Sequence, residues 1–135
     1  MVMHNGLMAD PTNPYTRKIK AITSKGSKKL TDADYAERDR LEWEAGLYWD
    51  DKAGLFIPSA NIERCIQLGA QKSRIGKDVQ AAVFVADDIV AVKVKGGGRT
   101  KEALYGDPAF TLRVGVAIQK SRIIRIRPMI PTGWE

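Results

Sequence analysis

Residues 111–128 read TLRVGVAIQKSRIIRIRP, and their periodicity decides how the chain is built. Leu112, Val114 and Val116 alternate with Arg113, Gly115 and Ala117, and Ile123, Ile124 and Ile126 continue in strand fashion into Pro128. A period of two belongs to an extended strand, whose successive side chains point to opposite faces. Arg125 and Arg127 then project from one face and Ile124 and Ile126 from the other, which predicts one basic face and one apolar face.

Working outward, Leu47-Tyr48-Trp49-Asp50 and Leu55-Phe56-Ile57 flank Asp51-Lys52-Ala53-Gly54, the pattern of a hairpin whose glycine can take positive φ, with Pro58 ending the strand. Ala81-Ala82-Val83-Phe84-Val85 and Ile89-Val90-Ala91-Val92-Lys93-Val94 also read as strands, separated by a tight turn at Ala86-Asp87-Asp88. Helices interleave with them. Asn13 and Pro14 suit an N-cap and first helical position ahead of Tyr15, Ile19 and Ile22, and Thr31 with Asp34 forms a capping arrangement for a charged helix that stops before Gly46 with a wide solvent face. A further capped helix is expected from Ser59, with Ile62, Cys65, Ile66 and Gly69 facing inward and Cys65 buried as a small core residue. Thr100 caps one turn containing Leu104 and Tyr105. The strands lack a regular βα alternation, so the expected class is α+β: a mostly antiparallel sheet with two or three helices, of ferredoxin-like type.

At 135 residues the chain has the length of one domain, expected to span 1–135 with a basic helix and loop and a charged-helix insertion at about 13–46. Hydrophobic residues at 44% and charged residues at 28% exclude a disordered, collagenous or multispanning chain. Neither a signal peptide nor an apolar run long enough to span a bilayer is visible, so no membrane association is expected. A single cysteine, Cys65, rules out an internal disulfide, and a single histidine, His4, leaves too few ligands for a Cys/His zinc site. A reducing, cytoplasmic compartment is the expectation.

The net charge is +6. Residues 1–50 balance 8 basic against 8 acidic side chains, whereas residues 51–135 carry 14 against 8. Within the first part a basic block, Arg17, Lys18, Lys20, Lys25, Lys28 and Lys29, precedes a largely acidic stretch from Asp32 to Glu44. Arg113, Lys120, Arg122, Arg125 and Arg127 follow one another without an intervening acidic residue, and Arg64, Lys72 and Arg74 lie off the apolar stripe of their helix. Such patterns suit a polyanion, bound by phosphate neutralisation and counterion release. The aromatic pattern of an RNA-recognition motif is absent, which favours shape and backbone contacts over base reading.

Catalytic motifs are weak by comparison. Gly96-Gly97-Gly98-Arg99-Thr100 lacks the spacing of a phosphate loop, and His4 has neither an orienting carboxylate nor a nucleophile near it in sequence. Asp50-Asp51 and Asp87-Asp88 suit turns better than a two-metal centre. The expectation is a non-catalytic protein with no cofactor and no metal.

Met3-His4-Asn5-Gly6-Leu7-Met8-Ala9-Asp10-Pro11, Leu47-Tyr48-Trp49-Asp50 and Phe56-Ile57-Pro58-Ser59-Ala60-Asn61-Ile62 together resemble a group of tailed-phage proteins of unassigned function, over nearly the whole chain. The strand, Ile-Pro turn and helix also resemble the RAMP superfamily, which includes RNA-binding backbone subunits of CRISPR effector complexes. Glu63 stands where that superfamily has lysine and Arg64 where it has glycine. The resemblance implies a RAMP-like fold lacking terminal strands and an RNA contact in which Arg64 replaces the lysine.

Together these readings predict a phage protein in the host cytoplasm that contacts single-stranded RNA or DNA through its basic faces. The alternative is a phage structural or protein-interaction protein, such as a mimic or inhibitor of a CRISPR subunit, with a phage or host protein as partner. The apolar residues between Ile123 and Ile130 further predict a homo-oligomer or domain-swapped dimer formed by strand addition at the termini.

Overall fold

Asn13 accepts a hydrogen bond from the Tyr15 amide and Pro14 takes the first helical position, so the first helix opens where its capping residues place it. The structure, a computed structural model, describes residues 1–94, 100–118 and 121–131. In chain order the elements are α1 (Pro14–Thr23), α2 (Asp32–Gly46), β1 (Trp49–Asp50), β2 (Gly54–Pro58), α3 (Ser59–Gln71), α4 (Gly76–Ala82), β3 (Ile89–Ala91), α5 (Lys101–Tyr105), β4 (Thr111–Ile118) and β5 (Ser121–Pro128). The fold is α+β, and all its strand pairings are antiparallel among the described residues. The strands are divided between a three-stranded sheet of order β1-β2-β3 and a two-stranded sheet, β4-β5. No helix among the described residues is long and apolar enough to cross a membrane. Contacts group the described residues into two compact units: Met1–Leu47 with those from Val94 to Pro131, and Tyr48–Lys93.

In the first unit α2 packs along β5. Thr31 and Asp34 form the expected capping box, but the wide solvent face of the first half narrows to Arg40 and Glu44 in the second. Asp39, Leu41, Glu42, Trp43, Ala45 and Gly46 are all buried. Trp43 is 0% exposed, donates its Nε1 proton to the Phe110 carbonyl at 3.0 Å, and meets the Tyr105 ring edge-on with centroids 5.4 Å apart. Its indole therefore fills the core while its polar atom is satisfied. Gly46 permits the closest approach in this packing, because a Cβ there would lie 2.9 Å from Cδ of Pro128. The chain start seals the same region: the Met3 amide donates to the Pro128 carbonyl at 2.9 Å, the Ile130 amide to the Met1 carbonyl at 2.7 Å, and Val2 lies opposite Met129. The apolar end of the Ile123–Ile130 segment is thus covered within the chain, with Ile126 and Ile130 buried.

In the second unit Asp50 shapes the β1-β2 turn by accepting the Lys52 and Ala53 amides at 2.8 Å each, and Gly54 closes it at a φ of 73°. Four expectations change here. The helix from Ser59 has no side-chain cap, because Pro58, with no polar side chain, holds the cap position and Ser59 is already the first helical residue, donating its hydroxyl and its amide to the Asp88 carbonyl. Ile62, Cys65, Ile66 and Gly69 do not face a core: Cys65 and Ile66 are exposed, and α3 buries no residue fully. The groove between α3 and α4 is lined by Ala60, Glu63, Arg64 and Gln67, a stripe about half a turn around the helix from the expected one. The expected strand at 81–85 is absent: Ala81 and Ala82 finish α4, and the Val85 amide donates to the Glu63 carboxylate at 2.7 Å rather than to a strand. The strand beginning at Ile89 is shorter than its apolar run, covering Ile89–Ala91 before one more bond from the Val92 amide to the Leu55 carbonyl.

Gly46→Ala is expected to destabilise the protein by about 1–3 kcal/mol through overpacking against Pro128, a loss read as a lower urea midpoint at unchanged slope.

Candidate nucleic-acid interface

On α1 the Tyr15, Ile19 and Ile22 spacing turns toward the protein, with Ile22 buried, and leaves Arg17, Lys18 and Lys20 exposed. Lys25, Lys28 and Lys29 are exposed in the connection to α2. Lys25 alone among these six has a carboxylate partner among the described residues, Asp34 at 2.6 Å. The Lys25 ammonium, then the Thr31 amide and hydroxyl, hold the Asp34 carboxyl down at about 2. The other five charges stand free of carboxylates among the described residues.

The hairpin distributes its arginines differently from the expected basic and apolar faces. Directly opposed residues of an antiparallel pair share a face. Arg113 opposes Ile126 and Ala117 opposes Arg122, whereas Leu112 opposes Arg127 and Val114 opposes Arg125. Each face therefore carries two arginines among aliphatic residues. Arg113, with its side chain 67% exposed, reaches Asp39 at 3.3 Å, and Arg125 forms an ion pair with Glu42. Both acids belong to the buried half of α2, and Arg38 adds a 2.9 Å contact to Asp39. Asp39 and Glu42 are the residues that sequence reasoning missed. The available signal was an acidic stretch and an arginine-rich strand in the same chain, read as two separate surfaces. Arg122 and Arg127 have no carboxylate partner among the described residues, and Lys120 lies outside them.

Arg64, Lys72 and Arg74 are exposed in the second unit. Arg64 donates to the Gln67 side chain at 2.7 Å, and Arg74 adopts a left-handed φ of 61° just after α3. Glu63, the residue at the lysine place of the RAMP pattern, uses its carboxylate to hold the Val85 amide.

The remaining motifs have structural partners or fall elsewhere. Gly96–Arg99 lies outside the described residues, while Thr100 caps the five-residue α5 by accepting the Ala103 amide. Asp50 is held below the ordinary carboxylate range by the Ala53 and then the Lys52 amide, the electrostatics of a turn residue. Among the described residues no group of three or more His, Cys, Asp or Glu side chains could hold a metal ion. Comparison with known proteins finds no matching family model and no significant match among curated proteins or solved structures.

Two measurements check these electrostatics. Arg125→Met leaves Glu42, only 3% exposed, without its main counter-charge, and is expected to lower stability by about 3 kcal/mol in urea unfolding. For Asp34, a depressed folded value means that its contribution is complete above the ordinary value of 3.8 and is lost as pH falls through about 2. Lys25→Met is expected to move the Asp34 midpoint up toward the ordinary value in an NMR titration.

Proposed function

We propose that this chain is a non-catalytic protein that binds single-stranded RNA or DNA chiefly through phosphate contacts. The observation that carries the reading is the set of exposed cations Arg17, Lys18, Lys20, Lys28 and Lys29, none neutralised by a carboxylate among the described residues. Unpaired surface cations gather the counterion-release free energy that dominates such binding. Arg122 and Arg127 add to this set, whereas Arg113 and Arg125 are partly committed to α2. The resemblance of Phe56–Ile62 to the RAMP pattern and of the chain to tailed-phage proteins supports a nucleic-acid partner in a phage-infected cell. Arg64, Lys72 and Arg74 are the contacts it implies from the second unit.

A second reading, a protein-interaction protein, is favoured by one observation: Phe84 is 79% exposed in the second unit, which also exposes Ile66, Leu68 and Ile75. A homo-oligomer is its simplest form. Light scattering would then show a mass that falls on dilution and on Phe84→Ser.

For the leading reading, fluorescence anisotropy with a labelled single-stranded oligonucleotide is expected to show binding at low salt that weakens steeply as salt rises. Changing Arg17, Lys18 and Lys20 together to alanine is expected to lower the salt slope by about 2, since each single-strand phosphate contact contributes roughly 0.7. Absence of binding to both RNA and DNA at low salt overturns the proposal.

A further inference from the structure

Beside the hairpin in the first unit lies a cavity of about 230 Å³ whose lining includes Arg125, Arg127, Val116, Met8, His4 and Glu42. The strand register explains this mixture, because Val116, Arg125 and Arg127 share one face. Glu42 is 3% exposed. Its Oε1 engages Arg125 and lies 4.0 Å from Nε of Arg38, while its Oε2 is buried with no hydrogen-bond partner among the described residues. A buried acceptor without a donor is costly, and a ligand that brings one removes the penalty.

The cavity therefore asks three things of a ligand: a donor for the Glu42 carboxylate, an acceptor for Arg127, which has no carboxylate partner among the described residues, and an apolar surface for Met8 and Val116. Inorganic phosphate fails on the first and third, since Glu42 repels it and the aliphatic wall stays wet. An acyl chain fails on the first two. A nucleobase meets all three, with amino or imino donors and ring acceptors on its edge and an apolar π face that also stacks on a guanidinium plane. The volume falls below the roughly 300–1,000 Å³ of sites for drug-sized ligands, which suits one base rather than a whole nucleotide. We propose that this cavity takes a single unstacked base of the bound strand. The inference rests on the nucleic-acid reading and adds a contact that phosphate neutralisation does not supply.

The test compares a single-stranded homo-oligonucleotide with an abasic strand carrying the same number of phosphates, using the full chain in fluorescence anisotropy. The base-containing strand is expected to bind about tenfold more tightly, the order of one base contact. Val116→Phe, which fills the cavity from a partly exposed strand position, is expected to abolish that difference while leaving abasic binding unchanged. Glu42→Gln is expected to reduce it, provided circular dichroism shows a native fold. Equal binding of the two strands by the unaltered chain, or a difference that survives Val116→Phe, overturns the base site and leaves the phosphate-binding reading intact. Failure of both strands to bind overturns both.

Discussion

The carboxylate of Glu42 is buried in the first unit and engages an arginine on the neighbouring hairpin. Withdrawing such a group from water costs several kcal/mol, which only a well-placed cation can offset. Arg125 on β5 therefore constrains where α2 can lie, and Arg113 with Asp39 applies a second constraint from β4. The rest of the packing is consistent with that placement. Trp43 can reach the Phe110 carbonyl, and Gly46 can accept Pro128 at a distance no other residue would allow.

The same ion pairs divide the basic residues into two populations. Arg38, Arg113 and Arg125 engage the acids of α2. The α1 cations and Lys28 and Lys29 have no carboxylate partner among the described residues, so their field extends into solvent. Formal charge alone does not separate these populations. A polyanion senses the uncompensated charges far more than those already paired, because a partnered cation must give up its carboxylate before it gains a phosphate.

The second unit has a different character. Its hairpin turn is held by Asp50, and Glu63 replaces a strand partner for Val85. Val83 and Phe84 thus remain outside any sheet, with Phe84 largely exposed. Exposed apolar residues of this kind are the usual material of a protein-protein contact, which is why the interaction reading draws on this unit and the nucleic-acid reading mainly on the other.

Local chemistry was legible in the linear chain wherever neighbouring residues settle the backbone. Asn13-Pro14, the Thr31 and Asp34 box, the Asp50 turn with Gly54, and the alternation at 111–128 all identify their elements, because each acts within a few residues. The strand-like run at 81–85 misled because Val, Phe and Ala favour a strand only when a partner edge is present, and here a helix end and a glutamate take those backbone groups. The stripe of Ile62, Cys65 and Ile66 misled for the same reason: periodicity names a face but not what lies against it. Of the candidate site, the exposed lysines of α1 and its following loop could be read from composition and helical spacing. Which arginines are already paired, and which buried carboxylate oxygen lacks a donor among the described residues, depended on residues 74 and 83 positions apart meeting across the fold, a relation that only tertiary packing creates.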